Sequence, residues 1–213
     1  FAGNYMDIGG ENGDDASICN IHNENTTACL QMYQSLNQFF SIEAKEADYD
    51  TVLQEFIDGR TLFTVVTTDA IARLEAAKAD GSLQGEYGMA MLPDVSADLK
   101  SRGLSVTNGV IVNGYGHHKE DANAFASYLT GTIGADFYDR TGKLTAHKNV
   151  SYENDKPALA MQAYEKSVSL PKIMQVSNFW VQLERTLTGI WEGEDADQAL
   201  QSLQEQMDVQ LQK

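Results

Sequence analysis

The sequence predicts an α/β protein, because segments with helical and strand-like patterns alternate along the first half of the chain. Residues 51–57 repeat apolar side chains at the helical period and stop at Gly59, and a β-branched and aromatic run at 61–67 follows. Thr68 and Asp69 then offer a polar cap to an alanine-rich helix that reaches about residue 79. A buried strand that leads straight into a capped helix is typical of α/β folds.

The N-terminal part of the chain predicts turns followed by a long helix. Residues 1–25 are rich in Gly, Asn and Asp, which favour turns, and residues 16–21 form a candidate short strand. Over residues 26–40 the apolar side chains recur at spacings of three and four, and Asn25 or Thr26 is placed to cap the N-terminus. This pattern predicts an amphipathic helix.

The rest of the chain predicts two more strands and then a helical second half. The runs 87–92 and 104–112 are short and apolar, and proline or glycine bounds or divides them. Glycine and proline then mark the ends of several helical patterns. These helices are predicted at 118–129, 132–142, 155–168 and 172–191, and from residue 195 through the apolar stripe that ends at Met207.

Composition and charge exclude several classes of protein. The 213 residues are 42% hydrophobic and 22% charged, which suffices for one large or two small cores and excludes a disordered or collagen-like chain. The 15 basic and 31 acidic residues give a net charge of −16, so we expect no binding to nucleic acid. No apolar run approaches the roughly 20 residues that a membrane-spanning helix needs.

The sequence contains no motif for catalysis or for metal binding. The GxSxG, P-loop, HExxH, GxGxxG and EF-hand patterns are absent, so we predict neither an enzyme nor a cofactor or metal. The two cysteines, Cys19 and Cys29, belong to no zinc-binding pattern. They are expected either to close a small disulfide loop in an oxidising compartment or to remain separate thiols.

Trp180 is the first candidate binding residue. In the helical segment after residue 171, the core-facing residues recur at steps of three and four, and Trp180 shares a neighbouring face with Ser177 and Glu184. An indole beside the core stripe is either a rim residue of the core or a flat platform for the apolar face of a sugar ring. Periodicity alone favours the core interpretation.

Asp69 also has two interpretations. As a structural residue it caps the helix that follows, which is the commonest role of an aspartate at that position. As a binding residue it lies at the carboxyl end of a predicted strand, where open α/β sheets collect their ligands. There its carboxylate can accept hydrogen bonds from two hydroxyl groups.

Four stretches of the chain, taken in order, carry a family resemblance. They are a helix–glycine–strand step, an apolar run that ends in proline, an Asn-Gly pair followed by a helix, and a Ser-Asn-Phe-Trp segment followed by an acidic helix start. They lie at 56–63, 87–93, 108–142 and 177–200. In this order and spacing they resemble the extracellular solute-binding proteins of ABC importers, in particular the maltose and oligosaccharide branch, and the likeness extends over roughly residues 26–212.

The resemblance implies a periplasmic-binding-protein-like fold of type II, in which two α/β lobes close on a ligand without catalysing a reaction. It implies that Trp180 is a sugar platform rather than a core residue. Other ligand contacts are expected from the same segment and from the end of the strand predicted at 61–67. These expected contacts are Met174, Ser177, Glu184, Thr68 and Asp69.

Members of this family are nearly twice as long, so the resemblance implies a carboxyl-terminal fragment that lacks most of the first lobe. Residues 1–103 and 150–213 are expected to build the C-terminal lobe, and residues 104–149 to return to the N-terminal lobe. Because that returning segment would lack its neighbours, we expect the fragment to self-associate.

The resemblance therefore predicts the substrate-binding component of a bacterial ABC transporter. Such a protein binds a sugar or oligosaccharide between its lobes and delivers it to the membrane permease. The full-length form is expected to be extracellular or periplasmic and anchored to the membrane as a lipoprotein. The alternatives are a solute-binding protein for a non-sugar ligand and an α/β enzyme without a recognisable motif.

Overall fold

The computed structural model describes residues 2–39, 48–147, 150–152 and 155–212. About half of the chain is helical, and the strands are few and short. The chain divides into two compact units. The first consists of Phe1–Ala47, Leu92–Val106 and Lys166–Lys213, and the second consists of Asp48–Met91 and Thr107–Glu165.

The helices and strands of the described residues follow one another in this order. The first unit contains strands β1 (Asp7–Gly9) and β2 (Asp15–Asn20) and helix α1 (Glu24–Leu36); the second begins with α2 (Tyr49–Ile57) and α3 (Ala70–Asp80). Strand β3 (Leu104–Ser105) belongs to the first unit, and α4 (Lys119–Ser127), α5 (Gly134–Thr141) and α6 (Asp155–Glu165) belong to the second. Strand β4 (Val168–Ser169), α7 (Phe179–Trp191) and α8 (Ala196–Leu211) complete the first unit.

The strands of the first unit form two small sheets. Strands β1 and β2 pair antiparallel, with Ile8 opposite Cys19 and an irregular register at Gly9. Strands β3 and β4 pair in parallel over two residues, with Leu104 opposite Val168. Because these strands are so short, the packing of helices rather than a large sheet must build the core of this unit.

The core of the first unit forms where α1, α7 and α8 meet the β1–β2 hairpin. Asp195 is the N-cap of helix α8, and its carboxylate accepts the backbone N–H of Gln198 at 2.9 Å. This cap starts the helix at the register that turns its predicted apolar stripe inward. The buried residues of the core are Ile8, Ile21, Leu30, Ile173, Val176, Phe179, Ile190, Ala196, Leu200, Leu203 and Met207.

Side-chain amides of α1 hold the carboxyl end of α7. Gln34 donates from Nε2 to the backbone carbonyls of Ile190 and Glu194 at 2.7 Å each, and Asn37 donates from Nδ2 to the carbonyl of Trp191 at 2.6 Å. The last carbonyls of a helix lack the usual partner within the helix, and these bonds add side-chain donors at the end of α7 and just after it. They fix the end of α7 against α1.

The cap predicted for α1 is wrong by two or three residues. The N-cap is Asn23, whose Oδ1 accepts the backbone N–H of Thr26 at 3.0 Å, whereas Asn25 and Thr26 lie inside the helix. All three residues favour capping, and only the backbone of Asn23 is extended, as an N-cap requires. Phe40, the predicted end of this helix, lies outside the described residues.

The second unit has its own smaller core, formed mainly by α2 and α3. Helix α3 ends where predicted, because Gly81 adopts a left-handed conformation with φ of 81° that favours glycine. Gly142 ends α5 in the same way, with φ of 67°. The buried residues that cluster between α2 and α3 are Leu53, Ile57, Ala70, Leu74, Ala77 and Leu83.

Two of the four predicted strands are absent from the described residues, whereas the one predicted at 16–21 is found as β2. The segments 61–67 and 87–92 are irregular, and only Leu104–Ser105 of the run at 104–112 is a strand. A β-branched and aromatic run shows a local preference, but a strand also needs a neighbour with which to pair. Without one, Leu62 and Phe63 remain 84% and 90% exposed. The strand predictions at 61–67 and 87–92 are therefore wrong.

The observed units divide the chain at other places than the predicted lobes. The predicted returning segment, 104–149, falls mainly in the second unit, together with residues 48–91 that were assigned to the C-terminal lobe. Residue 149 itself lies outside the described residues. The two-lobed type II architecture and its boundaries stay predictions.

Candidate functional site

A cavity of about 560 Å³ lies within the first unit, and Trp180 lines it. Its walls come from segments that are distant in the sequence: the β1–β2 hairpin, α1, the stretch around β4, and α7. Cavities of this size hold small-molecule ligands in many proteins. The apolar residues that line the cavity are Met6, Ile8, Leu30, Tyr33, Leu104, Val168, Pro171, Phe179, Trp180, Leu183 and Leu187.

The indole of Trp180 lies at the edge of the core and is not enclosed by it. Phe179, the first residue of α7, is 3% exposed, whereas Trp180 is 38% exposed. The two rings meet edge to face, with centroids 5.1 Å apart and planes at 65°. The buried ring thus supports the indole, and part of the indole surface lines the cavity.

The polar side of the cavity comes from the start of β1 and from the turn that joins β1 to β2. Asp7 and Glu11 line it, and both side chains are exposed to solvent. The Oδ1 atom of Asp7 accepts the backbone N–H of Gly10 at 3.0 Å, which orients this carboxylate. Ser169 from β4 adds a hydroxyl group to the lining. The cavity therefore combines an aromatic surface with carboxylate and hydroxyl oxygens.

Glycines shape this turn and let it lie close to the neighbouring chain. Gly9 has φ of 92°, and a Cβ atom there would come within 2.5 Å of the backbone of Gly13. Gly13 accepts the backbone N–H of Lys172 at 2.6 Å through its carbonyl. The turn that follows the strand of Asp7 is thus hydrogen-bonded to the segment that leads to Trp180.

Of the predicted ligand contacts near Trp180, the described structure places none in the lining of this cavity. Ser177 and Met174 lie in a 3₁₀-helical segment (Met174–Asn178) just before α7, and Glu184 lies one turn after Trp180. All three side chains are exposed, and none lines the cavity. The predicted sharing of a helical face with Trp180 therefore did not identify residues that line the cavity beside the indole.

Thr68 and Asp69 belong to the second unit, where both are exposed. Asp69 occupies the N-cap position of α3, but its backbone is helical and its side chain makes no capping hydrogen bond. Its Oδ1 atom instead accepts the hydroxyl of Thr67. The position predicted for the cap is confirmed, whereas the hydrogen bond that usually accompanies it is absent.

Trp180 is the only predicted ligand contact among the described lining residues, and Asp7, Glu11 and Tyr33 are three that were not predicted. Asp7 and Glu11 lie in the Gly- and Asp-rich N-terminal segment, whose composition indicated only turns. Tyr33 belongs to the apolar pattern of α1, and its ring also contacts Trp191 with centroids 5.1 Å apart. A tight turn with two carboxylates could have suggested a binding loop, but no local pattern joins it to Trp180.

A second polar cluster lies in the second unit, where Glu75, Tyr87 and Lys156 contact one another. Glu75 accepts hydrogen bonds from the hydroxyl of Tyr87 at 2.6 Å and from Nζ of Lys156 at 2.5 Å. The Lys156 ammonium lies 3.9 Å from the centre of the Tyr87 ring. The bond from Lys156 lowers the pKa of Glu75, while burial and the Glu75 carboxylate raise that of Tyr87. These pKa shifts favour an ionised Glu75 and a neutral Tyr87, which are the forms that make the bonds described here. The cluster therefore has the features of a structural contact.

The thiols of Cys19 and Cys29 are not joined in the structure. Burial raises the pKa of each thiol above its usual value, so both favour the unreactive protonated form at neutral pH. Among the described residues, no group of three or more His, Cys, Asp or Glu side chains is arranged to hold a metal ion. No described helix is both long and apolar enough to cross a membrane.

Comparison with protein-family models and with curated protein sequences identified no relative of this chain. No protein-family model matches the chain, and no curated protein sequence is significantly similar to it.

Proposed function

We propose that this chain is part of the substrate-binding component of a bacterial ABC transporter and that its ligand is a sugar or oligosaccharide. The resemblance of the four stretches in 56–200 suggests the protein class. The observation that carries the ligand class is the half-exposed indole of Trp180 at the cavity of the first unit.

The chemistry of a sugar ring suits such a surface. One face of a pyranose consists mainly of C–H groups, which pack on a flat aromatic ring, while its hydroxyl groups project around the edge. Carboxylates accept hydrogen bonds from hydroxyl groups, and Asp7 and Glu11 supply such acceptors at the same cavity. The indole then supplies affinity, and the polar groups at the turn supply orientation.

A solute-binding protein for a non-sugar ligand is the second candidate. The observation that favours it is the number of aliphatic side chains in the lining, among them Leu30, Leu183 and Leu187. An apolar wall binds any ligand with a suitable apolar part, whereas a sugar needs polar partners for most of its hydroxyl groups.

Fluorescence of Trp180 tests the ligand class directly. The chain has two tryptophans, so the variant Trp191→Phe leaves Trp180 as the single indole. A panel of neutral mono- and oligosaccharides, titrated into this variant, is expected to change the fluorescence of Trp180 in a saturable manner. The same sugars should bind in calorimetry.

The matched variant is Trp180→Phe, which removes the larger platform but keeps an aromatic ring and the native Trp191. Its affinity is expected to fall by about 1–2 kcal/mol, and Trp180→Ala by about 1–3 kcal/mol, with little loss of fold stability. If both variants unfold readily while sugar affinity is unchanged, Trp180 is a core residue and the proposed platform is wrong. Saturable binding of non-sugar solutes alone would favour the second candidate.

Transport, location and assembly are also parts of this proposal. We expect the full-length protein to be an extracellular or periplasmic lipoprotein that delivers its ligand to a membrane permease, which cell fractionation and uptake assays on a deletion strain would test.

Self-association of the present chain is supported by exposed apolar residues of the second unit, such as Leu62, Phe63 and Ile111. Light scattering measures it, and a monomer at high concentration would contradict it.

A further inference from the structure

The cavity beside Trp180 carries charge of only one sign in the described part of its lining. Asp7 and Glu11 are acidic, and no lysine, arginine or histidine stands among the described residues that line it. Lys166 and Lys172 are each next in the sequence to a lining residue, Ser167 and Pro171, but neither lysine lines the cavity. A ligand in the cavity therefore meets two carboxylates and no compensating cation.

The geometry of the turn keeps this charge at the cavity. One oxygen of Asp7 is engaged by the backbone N–H of Gly10, which orients the carboxylate without neutralising it. No described cation lies within salt-bridge distance of either Asp7 or Glu11, although other acidic residues of the unit have such partners. Asp94, for example, lies 3.1 Å from Nζ of Lys100.

We propose that Asp7 and Glu11 make this cavity select neutral saccharides over saccharides that carry a carboxylate or a phosphate group. The inference rests on the proposed sugar-binding function and narrows it to one charge class. Two carboxylates repel an anionic substituent, and the net charge of −16 on the whole chain adds to the same effect. Both side chains are exposed, so water and salt moderate the repulsion to a preference of about three- to tenfold.

A pair of ligands that differ only in charge tests this inference. The probes are the neutral saccharide that binds best in the panel described above and its derivative oxidised to a carboxylate at the primary alcohol. Both are titrated into the Trp191→Phe chain at low and at high salt. The neutral sugar is expected to bind about three- to tenfold more tightly at low salt, with a smaller ratio at high salt.

Isosteric variants distinguish the effect of Asp7 and Glu11 on the ratio of affinities from the effect of the net charge of the whole chain. Asp7→Asn with Glu11→Gln removes two negative charges from the cavity and keeps the size and one acceptor oxygen of each side chain. Glu192→Gln with Glu205→Gln removes two charges from exposed positions of the same unit that do not line the cavity. The ratio of affinities should fall toward one in the first double variant and stay near the unmodified value in the second.

Each outcome decides between the alternatives. If neutral and carboxylated sugars bind equally well, or if both double variants change the ratio to the same extent, the charge selection is overturned while sugar binding stands. If no saccharide of either charge binds or alters the fluorescence of Trp180, the proposed function fails and the selection falls with it.

Discussion

Gln204 of α8 accepts the backbone N–H of Ile21, the residue that follows β2, through its side-chain oxygen at 2.6 Å. The same oxygen accepts the N–H of His22 at 3.2 Å, and the amide nitrogen donates to the carbonyl of Cys19 at 3.1 Å. The amide nitrogen also donates to Asp208 at 2.8 Å. One side chain therefore satisfies the backbone groups that β2 exposes as it leaves the hairpin.

Replacing Gln204 with Ala should lower the free energy of unfolding of the first unit by about 2–3 kcal/mol. Several hydrogen bonds are lost at once, and the N–H of the fully buried Ile21 is left without a partner. Urea denaturation, followed by circular dichroism, measures the change. The control is Gln201→Ala on the same helix, whose amide contacts only the exposed Glu205 and should cost less than about 0.5 kcal/mol. Equal losses in the two variants would contradict this role of Gln204.

Asp48 should make the N-terminus of α2 sensitive to acid. Its carboxylate accepts the hydroxyl of Thr51 at 2.5 Å and the backbone N–H groups of Asp50 and Thr51 at 3.0 Å each. These bonds, the one from the Thr51 hydroxyl first, hold the pKa of Asp48 below its usual 3.8. The stabilisation is therefore present above about pH 4, where the unfolded carboxyl is ionised, and disappears as the pH falls through the lowered pKa.

The variant Asp48→Asn keeps an acceptor at the N-cap and has no proton to gain. Its helix content should depend less on pH between 5 and 2 than that of the unmodified chain, as measured by circular dichroism in moderate urea. Asp48→Ala removes the acceptor, so it should lose helix content already at pH 7. An Asp48→Asn chain with an unaltered acid profile would show that other carboxyl groups control it.

Thiol titration should find two free thiols per chain, and the two should differ in their rate of reaction with a thiol reagent. In denaturant without reductant we expect two reactive thiols per chain, since Cys19 and Cys29 are unlinked. Under native conditions Cys29, which is fully buried, should react with a thiol reagent more slowly than the half-buried Cys19. Mass spectrometry of the labelled chain assigns the order. A count of zero would show that the cysteines pair as a disulfide.

Helices were the part of the fold that could be predicted, because their determinants are local. The apolar stripe of α8 and the left-handed glycines after α3 and α5 act within a few residues, and each ends or orients its helix as expected. Strands failed for the opposite reason. The run at 61–67 has the composition of a strand, but pairing depends on a partner that a local pattern cannot reveal.

The candidate site was predictable at one residue and not at its neighbours. Trp180 stood out because it is an aromatic residue beside the core stripe of α7 rather than within it, and its partial exposure at a cavity agrees with that position. Asp7, Glu11 and Tyr33 come to the same cavity through tertiary folding of segments more than a hundred residues away. Spacing within one helix instead suggested Ser177 and Glu184, which lie outside the lining.

The hydrogen bond from the N–H of Lys172 to the carbonyl of Gly13 joins two adjacent segments of the cavity lining through a single pair of backbone atoms. Proteolytic cleavage within the turn at 10–13 would therefore do more than open a surface loop. It would release the chain that approaches α7 from its anchor, so that the width of the cavity would depend on a peptide bond that is far from the indole in the sequence.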